Sequence, residues 1–218
     1  MIGKVSQAAI DRLRSAGTAT VCEAQMSAGV LASAIKPLDP GMILAGPAFT
    51  VRTPPGDNLA IQHAVTLAQP GQILVIDAEG FTEAGPWGDL LTTYAQRAGL
   101  GGLVIDGSVR DTAAIIASGF PVFSRGVCIR GTTKAGDPEL VDIPIVCGGI
   151  AVRPGDIVIG DADGVVVVPW ENADEVADRA DARLAKEEGF REGIRSGRTL
   201  LQLMGINSAP PTRGSVNE

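Results

Sequence analysis

The chain has 218 residues, of which 45% are hydrophobic and only 4% aromatic, so it can bury one sizeable core built mainly from Val, Ile, Leu and Ala. Its formal net charge is −7, and no local cluster of Lys and Arg offsets that charge. Because a phosphate backbone is held by a basic face, direct binding of nucleic acid is disfavoured. No apolar run approaches the roughly 20 residues of a membrane helix, and the first residues lack the apolar region of a signal peptide.

The cysteines indicate the compartment. Cys22, Cys128 and Cys147 form an odd set without a Cys-x-x-Cys spacing. Such a set is typical of reduced, mostly buried thiols in the cytoplasm. We therefore expect a cytoplasmic protein that does not engage a membrane.

The first part of the chain predicts two short helices, over residues 5–16 and 20–28, with Thr20 as a candidate N-cap of the second. A strand with a Gly-Pro irregularity is predicted over residues 42–52. Asp57 is placed to cap the helix that follows, because its side chain can accept hydrogen bonds from the first free amides.

The middle of the chain alternates between strands and helices. A continuous apolar strand, a loop and a helix are followed by a second strand, a second helix and a third strand. That order is the signature of parallel strands joined by crossover helices. The segments are QILVID (72–77), DLLTTYAQRAG (89–99), GLVID (102–106), DTAAIIASG (111–119) and PVFS (121–124).

The last part is rich in short strands separated by turns, and it ends in a helix over roughly residues 171–196 that is charged nearly all round. Such a helix faces solvent or lies on a neighbouring subunit. The absence of a linker or repeat predicts a single domain over residues 1–204 and a flexible tail over residues 205–218. The predicted strands are VCIRGTT (127–133), IPIVCGGIAV (143–152), DIVIGD (156–161) and GVVVVP (164–169).

Charged side chains follow two neighbouring strands of the predicted parallel sheet. Asp77 and Glu79 close one strand, and Asp106, Arg110 and Asp111 close the next. Ligands collect beyond the carboxyl ends of such strands, and Arg beside Asp offers a planar donor fork next to an oxygen ligand. The alternatives stay open: the aspartates also suit turns and helix N-caps, and Arg110 also suits a structural ion pair.

A glycine-rich approach to a helix lies between these strands, in GPWGDLL at residues 85–91. Asp89 can cap the helix, and the amides of Leu90 and Leu91 lie in the first turn, where an anion is favoured. Gly88 lets a ligand approach the backbone closely. An ordinary capped helix remains the alternative.

Two carboxylates, one Arg and an anion cradle favour a hard divalent metal such as Mg²⁺. His63 is the single histidine of the chain, so a His-rich zinc site is impossible, and we interpret His63 as a packing or surface residue of a helix. The sequence contains no Gly-x-Ser-x-Gly motif, P-loop or dinucleotide-binding fingerprint. GDADG at residues 160–164 is interpreted as a turn, because it lacks the length and the closing Glu of a calcium loop.

The combination of GPWGDLL (85–91) with AGLGGLVIDGSVRD (98–111) resembles the 4-hydroxy-4-methyl-2-oxoglutarate / 4-carboxy-4-hydroxy-2-oxoadipate aldolase family. The resemblance continues through FPVFSRG (120–126) and residues 143–169, and it spans roughly residues 15–200. That family shares its fold with the regulators of ribonuclease E activity. The resemblance implies an α/β protein with a β/β/α swivelling, phosphohistidine-domain-like fold, in which parallel βαβ units carry a β-rich layer, and assembly as a homotrimer or homohexamer.

The resemblance also implies roles for individual residues. Asp111 would bind Mg²⁺ or Mn²⁺ directly, and Asp89 would hold a water on that metal. Arg110 would contact the pyruvyl oxygen, and the amides of Leu90 and Leu91 would bind the substrate carboxylate.

In the aldolases a Glu from the C-terminal helix of an adjacent subunit completes the outer shell of the metal. The segment ARLAKEEGFREGI offers Glu187, which we favour, and Glu188. The regulators lack that Glu, so its presence here favours an enzyme.

The implied activity is that of a metal-dependent pyruvate aldolase, with oxaloacetate decarboxylation as a side activity because both reactions release the enolate of pyruvate. With no suitable His, a metal-ordered water is the expected proton carrier. Two alternatives stay open: a non-catalytic, regulator-like binding protein, and a different metal-dependent enzyme on the same site, such as a dedicated oxaloacetate decarboxylase or an aldolase for another 2-oxo acid. Arg52, Arg125, Arg130 and Lys134 are candidates for binding the far end of the substrate, or else surface and packing residues.

Overall fold

The computed structural model describes residues 5–206. The chain divides into two compact units, Met1–Asp181 and Ala182–Glu218. Among the described residues, no helix has both the length and the apolar character needed to cross a membrane. The single domain over residues 1–204 stays a prediction, and the predicted tail lies outside the described residues from position 207 onward.

The elements are numbered in chain order. The helices are α1 (Gln7–Ala16), α2 (Thr18–Ala24), α3 (Leu59–Leu67), α4 (Asp89–Arg97), α5 (Thr112–Ser118), α6 (Ala173–Arg195) and α7 (Leu200–Leu203). The strands are β1 (Lys36–Pro37), β2 (Leu44–Arg52), β3 (Ile73–Asp77), β4 (Gly102–Val109), β5 (Val122–Val127), β6 (Ile145–Cys147), β7 (Ile150–Val152), β8 (Ile157–Asp161) and β9 (Gly164–Val168).

One mixed sheet organises the first unit, with the strand order β1-β5-β4-β3-β2-β8-β9. The strands β2, β3, β4 and β5 run parallel, whereas β1, β8 and β9 are antiparallel to their neighbours. Val30, a few residues before β1, bridges to Val166 of β9. The two ends of the sheet therefore come close together, and the sheet is nearly closed. The strands β6 and β7 form a separate hairpin.

The core lies on the central strands. Every residue of β3 and of β4 is buried, which is typical of parallel strands covered on both faces. Fully buried side chains such as Leu74, Leu103 and Phe123 fill the space between sheet, helices and hairpin. The edge of this packed sheet is a rigid base for the loops that follow β3 and β4.

The structure confirms the predicted run of parallel strands and crossover helices and corrects several boundaries. The prediction that Thr20 caps the second helix is wrong: α2 begins at Thr18, whose amide and hydroxyl both donate to Asp161, at 2.8 and 2.6 Å. The strand predicted to end at Asp106 continues to Val109, because β5 pairs with it beyond a register shift. Of the predicted strand VCIRGTT, only Val127 is in a strand.

The helix predicted over residues 171–196 is α6. Its first part is not charged all round, since Ala173, Val176, Ala177 and Ala180 are buried. Because these residues recur at helical spacing, they form one apolar face that packs within the first unit. The rest of α6 belongs to the second unit.

Two of the residues predicted to close β3 and β4, Asp77 and Asp106, form a row of four charged residues with Arg52 and Arg125. Asp77 lies between Arg52 and Asp106 in the strand register. The Nε of Arg52 donates to Asp77 at 3.2 Å, and the Nε of Arg125 donates to Asp106 at 2.5 Å. Both aspartates are buried. Each is therefore a structural ion-pair partner, whereas the sequence left only a ligand role or a turn open for these two aspartates.

The same row anchors the β6–β7 hairpin. The amide of Gly148, in the turn of the hairpin, donates to the second carboxylate oxygen of Asp106 at 2.9 Å.

Burial raises the pKa of the neighbouring Cys147 thiol, and Asp106 and Asp77 raise it further, so this thiol stays protonated and unreactive. All three cysteines are free, but Cys22 and Cys128 are only half-buried.

We expect the substitution Asp106→Ala to lower the free energy of unfolding by about 1–3 kcal/mol, because it removes the partner of Arg125 and of the Gly148 amide. The matched control is Glu175→Ala, which breaks the solvent-exposed pair with Arg179 and should cost about 0.5 kcal/mol or less. Urea unfolding of both variants makes the comparison. Equal losses would contradict a stabilising role for the Asp106 pair.

Candidate active site

The loops that follow β3 and β4 lie side by side at the carboxyl edge of the sheet. Trp87, at the end of the first loop, forms a parallel bridge with Val109 at the end of β4. The amide of Arg110 donates to the carbonyl of Trp87 at 2.9 Å. This backbone contact brings GPWGDLL against the turn that carries Arg110 and Asp111, as the order of the strands predicted.

Asp111 turns its carboxylate away from its own helix. It is the N-cap residue of α5, yet its side chain makes no capping hydrogen bond, and its backbone is left-handed at φ 58° and ψ 34°. Its Oδ2 instead accepts the amide of Asp89 at 3.3 Å and lies 3.6 Å from the Nε of Arg110. A non-glycine residue in this conformation carries a cost of about 1 kcal/mol or more, and such residues cluster at functional sites.

Gly88 makes this arrangement possible. Its φ of −155° is accessible to any residue, so backbone freedom does not explain the glycine. A Cβ at this position would lie 2.4 Å from the Oδ2 of Asp111 and 3.2 Å from the Nε of Arg110. Only a residue without a side chain lets the Asp111 carboxylate approach the start of α4.

The N-terminus of α4 points into the same space. The N-cap is Gly88, so the prediction that Asp89 caps the helix is wrong: Asp89 is its first residue. Its Oδ1 accepts the amide of Leu90 at 2.8 Å. The first main-chain bond of the helix runs from Thr92 to the Gly88 carbonyl, so the Leu91 amide lies in the turn where no intrahelical acceptor exists.

The buried side chain of Trp87 anchors the start of α4. Its indole is fully buried, its Nε1 donates to the hydroxyl of Thr92 at 2.8 Å, and its ring stacks with Phe120 at a centroid distance of 6.3 Å. Trp87 and Gly88 are therefore held in the core, whereas the side chains of the next two residues, Asp89 and Leu90, are exposed.

A cavity of about 510 Å³ opens beside these residues. It contains Gly88, Asp89, Leu90, Leu91 and Arg110, which the sequence placed in one site. Asp111 reaches the same site through its contacts with Asp89 and Arg110. The complete lining is Asn58, Gln62, Val65, Thr66, Pro86, Gly88, Asp89, Leu90, Leu91, Tyr94, Arg110, Gly131, Thr132 and Lys134.

Of the four basic residues predicted as candidates for binding the far end of the substrate, one lines the cavity and three do not. Lys134 lines the cavity. Arg52 and Arg125 belong to the ion pairs of the sheet, and the side chain of Arg130 is exposed while its carbonyl accepts the amide of Gly85 at 2.9 Å. His63 is an exposed residue of α3, as predicted.

Two polar residues of the cavity were missed from the sequence. Asn58 is buried and donates through Nδ2 to the carbonyl of Pro86 at 3.1 Å, and Gln62 donates through Nε2 to the Oδ1 of Asn58 at 3.1 Å. A signal was present, since residues four apart share one face of a helix and α3 follows directly after the carboxyl end of a parallel strand.

Glu187 lies on α6 in the second unit, where its carboxylate pairs with Arg183 and Arg191, each at 3.1 Å. Glu188 pairs with Arg195 and Arg191, which lower the pKa of its carboxyl. The role of Glu187 in the outer shell of a metal stays a prediction.

The described residues contain no cluster of three or more His, Cys, Asp or Glu side chains arranged to hold a metal. The site instead offers two exposed carboxylates, Asp89 and Asp111, joined by the contact between the Asp89 amide and Asp111. Mg²⁺ is commonly held by one or two carboxylates and keeps several waters. The donor set therefore fits a hydrated hard cation.

Comparison with known proteins places the chain in a family. Residues 18–167 match the model of the RraA-like family, described as Aldolase/RraA. The chain therefore belongs to the RraA-like family. It is 39% identical over 193 residues to a Halalkalibacterium halodurans protein named "Putative 4-hydroxy-4-methyl-2-oxoglutarate aldolase", covering 87% of this chain and 91% of that protein.

Solved structures agree with this assignment. An uncharacterized protein from Pseudomonas syringae pv. tomato is 33% identical, with a TM-score of 0.85 over 94% of this chain and 96% of that one. Streptomyces coelicolor RraAS2, described as an unusual member of the RNase ES inhibitor RraA protein family, is 31% identical, with a TM-score of 0.77 over 87% and 99%. The family thus contains proteins named for two different activities.

Asp111 is the predicted Mg²⁺ ligand, and a Cβ at position 88 would displace its carboxylate. We therefore expect Gly88→Ala to weaken Mg²⁺ binding at least about tenfold, the scale on which misplaced ligands lose affinity. Titration calorimetry with Mg²⁺ measures the effect. Gly189→Ala is the matched control, since a Cβ there meets nothing within 4 Å. Unchanged Mg²⁺ affinity in Gly88→Ala would contradict the predicted role of this close contact.

Proposed function

We propose that the protein is a divalent-metal-dependent pyruvate aldolase that cleaves 4-hydroxy-4-methyl-2-oxoglutarate or 4-carboxy-4-hydroxy-2-oxoadipate. The first substrate yields two molecules of pyruvate, and the second yields pyruvate and oxaloacetate. The observation that carries the proposal is that Arg110 and the N-terminus of α4 line one cavity and that Asp111 contacts both of them. The similarity to a protein named as an aldolase supports it.

Asp111 and Asp89 are the residues that would hold Mg²⁺ or Mn²⁺. A metal held there would supply positive charge that stabilises the negative charge developing on the C2 oxygen of the substrate during cleavage. Asp111 suits direct binding because its carboxylate is aimed into the site by its left-handed backbone. The Asp89 carboxylate, which accepts the adjacent Leu90 amide, suits an outer position.

The 2-oxo acid end of the substrate is bound by neutral and charged donors together. The start of α4 offers the Leu91 amide and the positive end of the helix dipole to the C1 carboxylate. The Leu90 amide donates to Asp89 in this structure and would have to exchange that partner for the substrate. Arg110, whose side chain is 44% exposed, is free to direct its guanidinium at the C2 oxygen. A preorganised cation at that oxygen favours the transition state over the ground state.

Cleavage breaks the bond between C3 and C4. Its electron pair moves into C2 and C3 as an enolate, the C4 hydroxyl loses its proton and becomes a carbonyl, and C3 is then protonated to give pyruvate. The described residues that line the cavity include no His, so a water is proposed to take the C4 proton.

The cavity also offers a cation for the remaining carboxylate. Lys134 lines it together with Asn58 and Gln62, and the Lys134 ammonium carries three donors and no acceptor. Since oxaloacetate decarboxylation passes through the same enolate, we propose it as a side activity.

The proposal extends to the fold type and the assembly. We assign the nearly closed sheet with its covering helices to the β/β/α, phosphohistidine-domain-like type, and the assembly to a homotrimer or homohexamer. In that assembly Glu187 of α6 would complete the outer shell of the metal in an adjacent subunit, as the resemblance implies.

The second candidate function is regulation of a ribonuclease. It is supported by the similarity to RraAS2, described as belonging to an RNase ES inhibitor family. A shared fold does not decide between the two. The assay below does, because a regulator needs neither Mg²⁺ nor a 2-oxo acid.

We expect Arg110→Ala and Asp111→Ala each to lower kcat/KM for pyruvate release at least about a hundredfold, the scale of losing one preorganised oxyanion donor. Pyruvate is measured by coupling its release to lactate dehydrogenase. Arg14→Ala, an exposed arginine of α1, is the matched control and should behave as wild type. Near-normal turnover in either site variant would reject these residue assignments.

Removal of the divalent metal should abolish turnover, and added Mg²⁺ or Mn²⁺ should restore it. The same coupled assay, run with EDTA and then with excess metal, measures this for both substrates and for oxaloacetate. Turnover of oxaloacetate alone would identify a dedicated decarboxylase on the same site. No turnover of any acid by folded, metal-loaded protein would favour the regulator.

A further inference from the structure

The connection between β5 and β6, residues 128–144, has no helix or regular strand, yet it forms part of the cavity wall. Gly131, Thr132 and Lys134 from this connection line the cavity, and most of its residues are exposed. A surface loop of this kind needs specific anchors if its side chains are to hold a fixed position.

Backbone bonds anchor the two ends of the connection. At its start, the amide of Cys128 donates to the carbonyl of Val109, and the carbonyl of Arg130 accepts the amide of Gly85, both at 2.9 Å. Toward its end, Leu140 accepts the amide of Arg52 at 2.9 Å. The cavity-lining residues lie between these anchors.

A buried carboxylate holds the intervening segment. Asp57 is only 4% exposed. Its Oδ2 accepts the hydroxyl of Thr133 and the amide of Ala135, each at 2.7 Å. The backbone adds two bonds, from Thr133 to the carbonyl of Gly56 at 2.8 Å and from Asn58 to the carbonyl of Thr133 at 3.2 Å.

The contacts of Asp57 and the lining of the cavity involve neighbouring residues of the segment. Thr133 forms a parallel bridge with Asp57 and donates its hydroxyl to it, and the amide of Ala135 donates to the same carboxylate. Lys134, at a bend between these two contacts, lines the cavity, as does Thr132. The carboxylate therefore holds the backbone on both sides of Lys134.

The same carboxylate also fixes the opposite side of the wall. Its Oδ1 accepts the amide of Leu59, the first residue of α3, at 2.8 Å. Asn58 and Gln62, the polar cavity residues of that region, are thus held by the same group. Burial raises the pKa of Asp57, but the hydrogen bonds from Leu59, Thr133, Ala135 and Gly136 outweigh it and lower the pKa below its ordinary value. Asp57 stays ionised at neutral pH.

We infer that residues 131–136 form the specificity loop of the site, that Lys134 on this loop recognises the second carboxylate of a 2-oxo diacid or triacid, and that Asp57 is the positioning residue that holds the loop. This inference rests on the proposed function. It divides the site into two parts: Arg110 and α4 bind the pyruvyl end, and the loop held by Asp57 selects the far end.

The test is a double-mutant cycle with Asp57→Ala, Lys134→Met and the combined variant. KM and kcat are measured for 4-carboxy-4-hydroxy-2-oxoadipate, and the inhibition constant is measured for pyruvate. Each single variant should raise KM at least about tenfold, the effect of losing one charge-assisted contact. The combined variant should be little worse than either, because both changes remove one interaction. The inhibition constant for pyruvate should change less than about twofold, since pyruvate has no second carboxylate.

Additive effects on KM would overturn the positioning role, because Asp57 would then act independently of Lys134. An equal loss of affinity for pyruvate would overturn the division of the site. Asp137→Ala is the matched control: its carboxylate caps the amide of Glu139 within the same connection, and it should leave both constants unchanged. Thr133→Val, which removes one donor to Asp57 and keeps its shape, provides a milder variant if Asp57→Ala does not fold.

Hydrogen exchange separates this inference from the proposed function. In Asp57→Ala the amide of Ala135 loses its acceptor and should exchange at least about tenfold faster, whatever the chemistry of the site. Unchanged protection would overturn the positioning role by itself. A wild-type chain that neither cleaves nor binds 2-oxo acids would overturn the proposed function and the specificity role together.

Discussion

The approach of the Asp111 carboxylate to the start of α4 is the constraint on which the site depends. It requires a left-handed backbone at Asp111, a missing side chain at Gly88, and two neighbouring loops joined by the bond from Arg110 to Trp87. The parallel pairing of β3 with β4 places those loops side by side, and the buried indole of Trp87 anchors the first loop in the core. The local strain is sustained because the surrounding core over-determines it.

The carboxylates of this protein differ in their partners, and the partners decide what each can do. Asp77 and Asp106 are buried against arginines, and Asp57 is buried against amides and a hydroxyl. The hydrogen bonds and ion pairs of these three carboxylates stabilise strands and loops, and they leave the charge of each carboxylate satisfied within the protein. Asp89 and Asp111 are exposed; Asp89 lines the cavity, and Asp111 contacts the Asp89 amide. A row of structural ion pairs and two exposed carboxylates thus lie a few residues apart in sequence.

The fold alone does not decide the function of this chain. The chain resembles both a protein named for aldolase activity and a protein described through ribonuclease inhibition. A nearly closed sheet is compatible with either. Arg110 and a helix N-terminus line one cavity, and Asp111 contacts both of them. This grouping of donors is the basis of the proposal that the protein acts on a small anion.

The sequence by itself determined the parallel strands, the two adjacent βα loops and the residues from Gly88 to Leu91 with Arg110 and Asp111, because hydrophobic runs and helix-start signals are local and regular. Only the tertiary structure decided that Asp106 is a structural partner of Arg125, that Lys134 rather than Arg52 reaches the cavity, and that Asn58, Gln62 and Asp57 contribute. These choices depend on strand register and on contacts between residues far apart in sequence. A local pattern cannot specify such contacts, since the same Asp or Arg suits a turn, an ion pair or a ligand until its neighbours are known.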